Sequence, residues 1–461
     1  MTQDTTTQCS LFEELWDRPL HAVFDEPGTS SDGGAVLLSA ADRRLGLLSE
    51  LSACVTDERD PARVQHEVEE LLRERVYGIA CGYEDGNDAG RLADDPIFKL
   101  IVGRDPAKGA RLASQPTLSR FERSAGRKDL VRMGWRLAEK VIQRQRKRRG
   151  RRKKVSRITI DFDLTHDETH GQQPLAFFNG FYGVWCYLPM LGFIRFDEEP
   201  EQYLVAALLR PGNAAATTGL QPLLRRLVKL LRQTFPKTQL RLRLDAGFPS
   251  PKLLEYLESE GIEYVIGLAK NTRLEELTAD SMTRARTAAE KSGQTERFYE
   301  VCRYGARSWN RLRRVVFKAE VTVFPGRALR DNLRLVLTNL EQRTAQEIWE
   351  EDYCSRGEIE NRIKELKDGL KIDRTSSSSF FANQLRVLMT AAAYAILQEL
   401  RAHATRTRFA RAQIGTLRDH LLKVGVRVVA SVRRIVLHLP ASCPAQRDWQ
   451  RIAAALGARA G

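Results

Sequence analysis

The chain has 461 residues, more than one hydrophobic core normally serves, so we expect two or three domains. Its 74 Lys and Arg outnumber 59 Asp and Glu, and the formal net charge of +15 favours a polyanionic partner, of which nucleic acid is the commonest. The sequence contains no 18-residue apolar run and no signal-peptide pattern, and its seven scattered cysteines form no C-x-x-C pair. We therefore expect a reduced, cytoplasmic protein with no membrane span, disulfide framework or zinc ribbon.

Helical periodicity dominates the first 150 residues. Apolar positions recur at helical spacing over 35–54 and 61–81, and further helices are predicted from Thr117 and over about 128–146. We predict an all-helical region over 1–150 that binds DNA through helix ends and side chains; a helical scaffold without DNA contact is the alternative.

A strongly basic segment follows these helices. Nine of the eleven residues in 144–154 are Lys or Arg. Such a run predicts a solvated, flexible linker that attracts phosphates through charge density alone. We assign DNA binding to Arg148, Arg149, Arg151 and Arg152.

Two predicted strands end in carboxylates. Apolar and polar residues alternate over 157–163, and the polar positions include Asp161 and Asp163. A second alternating strand over 240–245 ends at Asp245, where Gly247 turns the chain into a helix over about 251–259. Carboxylate oxygens are the hard ligands that Mg²⁺ selects, although any one of these aspartates alone could be a cap or turn residue.

A third carboxylate lies on a predicted helix with aromatic and basic neighbours. Tyr353, Arg356, Glu360, Lys364 and Lys367 have spacings that place them on one stripe of an α-helix. A metal-binding carboxylate beside groups that hold phosphates suits phosphodiester chemistry. A solvated helix with i,i+4 charge pairs is the alternative.

The remaining patterns complete an α/β architecture. Strands are predicted near 157–163, 181–190, 202–209, 240–245 and 262–268, with a helix near 216–233. The segment 271–350 is strand-rich, and its Trp309 is either a base-stacking residue or a core tryptophan. A helix over 383–401, a hairpin near 426–439 and a final short helix follow.

These motifs together resemble a known family. The string Y-x2-R-x3-E-x6-K from Tyr353 to Lys367 matches the signature of the insertion-sequence-4 superfamily of bacterial DDE transposases. The closer resemblance is to the family numbered 1380 among insertion sequences. It rests also on Ser31-Asp-Gly-Gly34, Asp57-Glu-Arg-Asp-Pro61, Gly82-Tyr-Glu-Asp85, Asp95-Pro96, Ser114-Gln-Pro-Thr-Leu-Ser-Arg120, Asp161-Phe-Asp163-Leu-Thr165, His170-Gly-Gln-Gln173, Leu209-Arg-Pro-Gly-Asn213 and Asp245-Ala-Gly-Phe248.

The resemblance implies a fold and a domain order. The fold is a ribonuclease-H-like mixed sheet flanked by helices, with a β-rich insertion and a helical N-terminal DNA-binding region. We expect an inverted-repeat-binding region over 1–150, a catalytic core over 151–270 and 351–405, the insertion over 271–350, and a C-terminal helix and hairpin region over 406–461.

The resemblance also implies a mechanism. Asp163, Asp245 and Glu360 would hold two Mg²⁺ ions, for which Mn²⁺ would substitute, and the enzyme would cleave and transfer DNA strands. Asp163 begins the D-x-T pattern attached to the first metal ligand, so Asp161 is either a supporting group or the alternative first ligand. Partners would be double-stranded DNA at element ends and target, and a second copy of the chain in the nucleoid of a bacterial cytoplasm. Two alternatives remain: a ribonuclease-H-fold nuclease without strand transfer, and a domesticated DNA-binding protein.

Overall fold

The computed structural model describes residues 9–11, 17–18, 20–150 and 154–459. Its N-terminal part contains short strands and a set of helices. The strands are β1 (Cys9–Leu11), β2 (Leu20–Ala22) and β3 (Thr29–Ser30). The helices are α1 (Val36–Leu45), α2 (Leu48–Ser52), α3 (Val68–Ala80), α4 (Ala89–Leu92), α5 (Pro96–Val102), α6 (Gln115–Ser124) and α7 (Arg127–Arg149), with 3₁₀ turns at Gly33–Ala35, Pro61–Arg63 and Gly86–Asp88. The helical character predicted for this region is confirmed, apart from the short strands at its start.

Two predicted element boundaries in this region were wrong. The helix predicted over 35–54 is split because Gly46 takes a left-handed conformation, φ +63°, which ends α1. The basic segment over 144–154 begins as helix and not as flexible linker, since α7 continues to Arg149. Internal contacts support this last turn: the Arg149 guanidinium pairs with Glu199 and lies 3.9 Å from the Phe196 ring centroid.

The middle of the chain alternates strands and helices. Its strands are β4 (Arg157–Leu164), β5 (Asp167–Glu168), β6 (Phe177–Asn179), β7 (Val184–Tyr187), β8 (Met190–Phe196), β9 (Tyr203–Leu208), β10 (Gln239–Leu244), β11 (Glu263–Leu268), β12 (Glu296–Tyr304), β13 (Arg313–Thr322) and β14 (Arg330–Thr338). Its helices are α8 (Leu220–Thr234), α9 (Pro251–Ser259) and α10 (Thr272–Ser292). The period-2 patterns therefore located most of these strands correctly, whereas α10 was not predicted.

One eight-stranded mixed sheet organises this part, in the order β12-β13-β14-β11-β10-β4-β8-β9. The strands β4, β8 and β9 are mutually antiparallel neighbours, and β10 and β11 run parallel to β4. The strands of the predicted insertion extend this same sheet, because β14 pairs antiparallel with β11. The predicted α/β class with a mixed sheet flanked by helices is confirmed; the domain boundaries stay predictions.

The last part of the chain returns to helix. It contains α11 (Ala345–Glu347), a π-helical turn at Ile348–Tyr353, a 3₁₀ turn at Cys354–Gly357, α12 (Glu358–Leu370), α13 (Phe380–His403) and α14 (Ile414–Leu417), with a second π-helical turn at Arg418–Leu422. The hairpin β15 (Val426–Ala430) and β16 (Ile435–His438) and the final helix α15 (Gln446–Ala455) follow as predicted, and β15 also pairs with β3.

The helix α13 is the centre of the core. It packs against α1, α3, α6 and α7 on the N-terminal side and against β9 of the sheet. By length and composition α13 is the one helix in the described residues that could cross a membrane, but 89% of its most apolar window is buried inside the protein. Its apolar character is thus explained by the core that it forms.

Candidate active site at the ends of two parallel strands

Asp163 and Asp245 lie at the same edge of the central sheet. In the parallel ladder of β4 and β10, Asp161 is the partner of Arg243, so continuing the register by two residues brings Asp245 beside Asp163. Neighbouring strands lie about 4.8 Å apart. Local backbone groups orient both carboxylates: the Leu164 amide donates to Asp163 Oδ1 at 2.9 Å, and the Gly247 amide donates to Asp245 Oδ1 at 2.8 Å.

The Asp163 carboxyl is perturbed by its surroundings. Burial raises its pKa to about 6, and the nearby Asp245 carboxylate adds to this rise. The Arg356 guanidinium acts in the opposite direction, donating from Nη1 to Asp163 Oδ2 at 2.9 Å. Two carboxylates at one buried edge therefore require cationic compensation, which Arg356 supplies.

The segment that carries the predicted signature is helical, but it is not a regular α-helix. Tyr353 ends the π-helical turn, Arg356 lies in the 3₁₀ turn, and Glu360 lies in the first turn of α12. The expectation of one stripe at 3.6-residue periodicity was therefore wrong between Tyr353 and Glu360. The irregular turns still bring the predicted residues together, and π turns are frequent at functional sites.

Arg356 connects the helix to the strand carboxylates. Besides Asp163, its guanidinium contacts Glu360 Oε1 at 3.4 Å from Nη2. Burial lowers the pKa of Arg356, but Asp163, Tyr353, Asp245 and Glu360 outweigh this effect and raise it. The Glu360 side chain is 65% exposed, so it can change rotamer without losing a buried contact.

Asp163 and Glu360 line one open pocket of about 290 Å³, together with Leu164, Ile363, Lys364, Lys367 and Asp368. Lys364 is exposed, whereas Lys367 donates from Nζ to the His166 carbonyl oxygen at 2.7 Å. Among the described residues no three His, Cys, Asp or Glu side chains converge into a metal-binding group. Asp163 and Asp245 form a pair, and Glu360 lies on the rim.

Asp161 has a different environment, and its prediction as an alternative first metal ligand was wrong. Its side chain is fully buried, and Arg243 donates to both oxygens, from Nε to Oδ1 and from Nη2 to Oδ2, each at 2.7 Å. Gln202 donates to Oδ2 at 3.0 Å. Arg243 also donates from Nη1 to the Asp352 carbonyl oxygen at 3.0 Å. Asp161 thus fixes the arginine that joins the sheet to the helical segment, and it can support the site only through that contact.

Gly267 is a site residue that the sequence analysis missed. It lies on β11, and a Cβ atom there would approach the Tyr353 hydroxyl oxygen to 2.6 Å and the Ala246 nitrogen to 2.8 Å. The missing side chain thus makes room for Tyr353 beside Asp245. Burial, and to a smaller extent Asp245, raise the pKa of Tyr353, while Arg356 lowers it. The one available signal was a glycine inside a predicted strand, which often marks such a close approach.

The predicted basic DNA contacts divide into three cases. Arg148 is exposed and donates to the Tyr203 hydroxyl at 3.0 Å. The Arg149 side chain is only 3% exposed and pairs with Glu199, so it has little surface left for a phosphate. Arg151 and Arg152 lie outside the described residues.

Trp309, the other candidate for base contact, is half-buried. Its ring centroid lies 5.5 Å from that of Tyr304, and the Arg313 guanidinium lies 5.2 Å from it. These contacts favour the core role over base stacking.

Comparisons with known proteins give two findings. The sequence profile of a family described as transposase DDE domain, group 1, matches residues 12–459. Among solved structures, a piggyBac transposase synaptic complex with hairpin DNA aligns over 83% of this chain and 80% of that chain, with 12% sequence identity and a TM-score of 0.42. No curated protein matches the sequence.

Proposed function

Because the chain belongs to the transposase DDE domain family, group 1, it is a transposase, and we propose that Asp163, Asp245 and Glu360 form the site at which it cuts and joins DNA. The observation that carries this proposal is the pair of aspartates at one edge of the sheet, with Arg356 joining Asp163 to Glu360. We also propose the ribonuclease-H-like assignment for the five strands β9-β8-β4-β10-β11, which contain both aspartates.

The donor set fits divalent metal ions, which this class of enzyme generally uses. Carboxylate oxygens are the ligands that Mg²⁺ prefers, and the raised pKa of Asp163 reflects burial near a like charge. We propose that Asp163, Asp245 and Glu360 hold Mg²⁺, two ions when the site is complete, and that Mn²⁺ substitutes. Bound metal supplies a Lewis acid that activates the attacking hydroxyl and neutralises charge developing on the phosphate.

The residues around the carboxylates have separate tasks in this proposal. Arg356 balances the charge of Asp163 and Glu360 in the free protein, and its guanidinium is suited to a DNA phosphate once the carboxylates have other partners. Lys364 and Lys367 lie on the same pocket and add positive charge for the DNA backbone. The Tyr353 hydroxyl, set beside Asp245 by Gly267, is a hydrogen-bond donor for the DNA strand.

The partner in this proposal is double-stranded DNA, both at the element ends and at the target. The net charge of +15 supports it, as does membership of a transposase family, because DNA is the substrate on which a transposase acts. We propose that the helical region over 1–150 recognises terminal inverted repeats, that Arg148, Arg151 and Arg152 attract the backbone, and that two copies of the chain hold the two ends.

A comparison of two glutamate variants tests the site. Glu360→Ala is expected to abolish Mg²⁺-dependent cleavage of a plasmid carrying the DNA that flanks the gene on both sides, but to keep its gel shift. Glu351→Ala is the matched control, since Glu351 is also 65% exposed and lies on the same helical segment but pairs with Arg343. Cleavage by the Glu360 variant would contradict the site assignment.

The same assay separates the alternatives. Cleavage by the unmodified protein without joined products would identify a nuclease that lacks strand transfer. Binding without any cleavage would identify a domesticated DNA-binding protein. Both outcomes would overturn the proposed strand transfer while leaving the binding region intact.

A further inference from the structure

A small hairpin beside the candidate active site exposes several aromatic rings. It is formed by β6, β7 and the turn between them, residues 177–187, and we call it the aromatic hairpin. Phe178, Phe181 and Trp185 are 56%, 87% and 58% exposed. Phe178 and Trp185 are cross-strand partners, so both rings project from one face, with centroids 6.4 Å apart. Large exposed rings in such a group indicate a binding surface.

The tip of the aromatic hairpin has a defined turn. Asn179 Oδ1 accepts from the Phe181 amide at 3.1 Å, and the Gly183 amide donates to the Asn179 carbonyl oxygen at 2.8 Å. Gly183 has φ +72°, which suits glycine. The exposed rings are therefore presented from a turn fixed by its own hydrogen bonds.

The base of the aromatic hairpin is fixed to the protein body. Asn179 Nδ2 donates to the Gly212 carbonyl oxygen at 2.9 Å. Gly212 lies so close under the hairpin that a Cβ atom there would be 2.0 Å from the Cys186 carbonyl oxygen. Arg210, which is buried, donates from Nε to the Leu188 carbonyl oxygen at 2.9 Å just beyond the hairpin. The rings are therefore held in place before any ligand binds, which lowers the entropic cost of binding.

The aromatic hairpin is contiguous with the carboxylate site. The Tyr182 ring lies 4.6 Å from that of His166, centroid to centroid, and the His166 carbonyl oxygen accepts from Lys367. Burial raises the pKa of Tyr182, and the charges of Asp163 and Asp245 raise it further, in accord with its place near them. Tyr182 thus connects the exposed rings to the proposed cleavage site.

Positive charge lies along the same side. A trough of about 820 Å³ begins at His166 and Lys367 and is lined also by Lys371, Arg374 and His170. Glu84, Glu168 and Asp373 also line it, and Lys367 has Asp373 Oδ2 at 3.6 Å. Cations beside exposed rings are the combination that binds a single nucleic-acid strand, because phosphates meet charge and bases meet π-faces.

We propose that Phe178, Phe181 and Trp185 form a stacking platform for an unpaired nucleobase of the DNA strand that enters the carboxylate site. This inference rests on the proposed function, since it takes the ligand to be DNA. The platform would hold a base that has left the duplex near the scissile phosphate, which widens access to the backbone there. Exposed rings, rather than aliphatic side chains, together with the adjoining cations favour this occupant over a second copy of the chain.

The test uses a short duplex with 2-aminopurine opposite an abasic site, and a control duplex with 2-aminopurine paired to thymine, both in EDTA so that no cleavage is needed. The unmodified protein is expected to bind the unpaired probe about tenfold more tightly than the paired one and to quench its fluorescence. The variant F178A/F181A/W185A is expected to lose this preference while keeping its affinity for the paired duplex.

Three further proteins make the test specific. Phe181→Ala alone, at the most exposed of the three rings, should lose part of the preference, and Phe181→Trp should keep it. Phe324→Ala is the matched control, since Phe324 is a 49% exposed ring that lies outside the aromatic hairpin, and it should behave as the unmodified protein. Thermal melting followed by circular dichroism confirms that each variant is folded.

Two results would overturn the platform. One is equal binding of the two probes by the unmodified protein, or an unchanged preference in the triple variant. The other is a lower oligomeric mass of the triple variant in light scattering with unchanged DNA binding, which would make the rings an interface between copies. Because the readout is binding in EDTA, failure of the platform is distinct from failure of the proposed cleavage, which the Glu360 variant reports.

Discussion

The two aspartates of β4 should respond in opposite ways to the same substitution. Asp161→Asn removes the charge that neutralises Arg243 in the core, whereas Asp163→Asn removes a carboxylate whose ionisation is already unfavourable. We expect Asp161→Asn to destabilise the fold while its folded fraction still cleaves DNA. We expect Asp163→Asn to fold at least as well as the unmodified protein and to be inactive.

The magnitudes follow from the contacts. Asp161 and Arg243 are 0% and 1% exposed at the side chain and share two hydrogen bonds of 2.7 Å. Leaving one charge of such a pair uncompensated costs about 3–5 kcal/mol. The folded pKa of Asp163 is about 6 against an ordinary 3.8, so its cost appears as pH rises through that interval and is complete above it. Asparagine avoids that cost, which is at most about 3 kcal/mol.

The assay is chemical denaturation at pH 7.5 in EDTA, followed by single-turnover cleavage in Mg²⁺ at a temperature where every variant is folded. The double variant Asp161→Leu, Arg243→Met is the control for the ion pair. Replacing both charged partners by apolar groups should recover much of the stability that Asp161→Asn loses.

Two outcomes would refute the reasoning. A fully stable but inactive Asp161→Asn variant would place Asp161 in the chemistry and contradict its role as the partner of Arg243. A strong loss of stability in Asp163→Asn would show that Asp163 contributes to folding through Arg356 more than burial costs it.

Three further predictions concern other parts of the molecule. Burial raises the pKa of Glu74 to about 7, so its ionisation costs stability as pH rises from about 4.5 to 7; Glu74→Gln should match the unmodified melting temperature at pH 5 and exceed it at pH 8, and equal melting temperatures at both would contradict this. Gly267→Ala should lower the free energy of unfolding by about 1–3 kcal/mol, because its Cβ meets Tyr353 and backbone, and an unchanged denaturation midpoint would show that the approach is looser. Arg148→Gln should flatten the salt dependence of DNA binding by roughly 0.9 log unit per log salt for a lost phosphate contact, whereas Arg149→Gln should mainly reduce stability; equal salt slopes in both would refute the distinction.

Local patterns predicted the elements that carry the candidate site. Alternation marked β4 and β10 to within a residue, and the glycine after Asp245 indicated the turn before α9. Residue types identified the carboxylates and the cations near Glu360. These features depend on neighbours along the chain, and period-2 and period-3.6 patterns record such neighbours directly.

The tertiary structure decided which of those residues share a site. Asp161 and Asp163 stand on the same face of β4, and only the register with β10 puts Arg243 against Asp161 and leaves Asp163 beside Asp245. The π-helical and 3₁₀ turns, rather than α-helical periodicity, direct Arg356 to Asp163. Strand register and long-range ion pairs join residues far apart in sequence, and no local pattern encodes them. The sequence by itself therefore determined the elements and the chemistry available, whereas cross-strand pairing determined which carboxylate is neutralised in the core and which is left at the sheet edge.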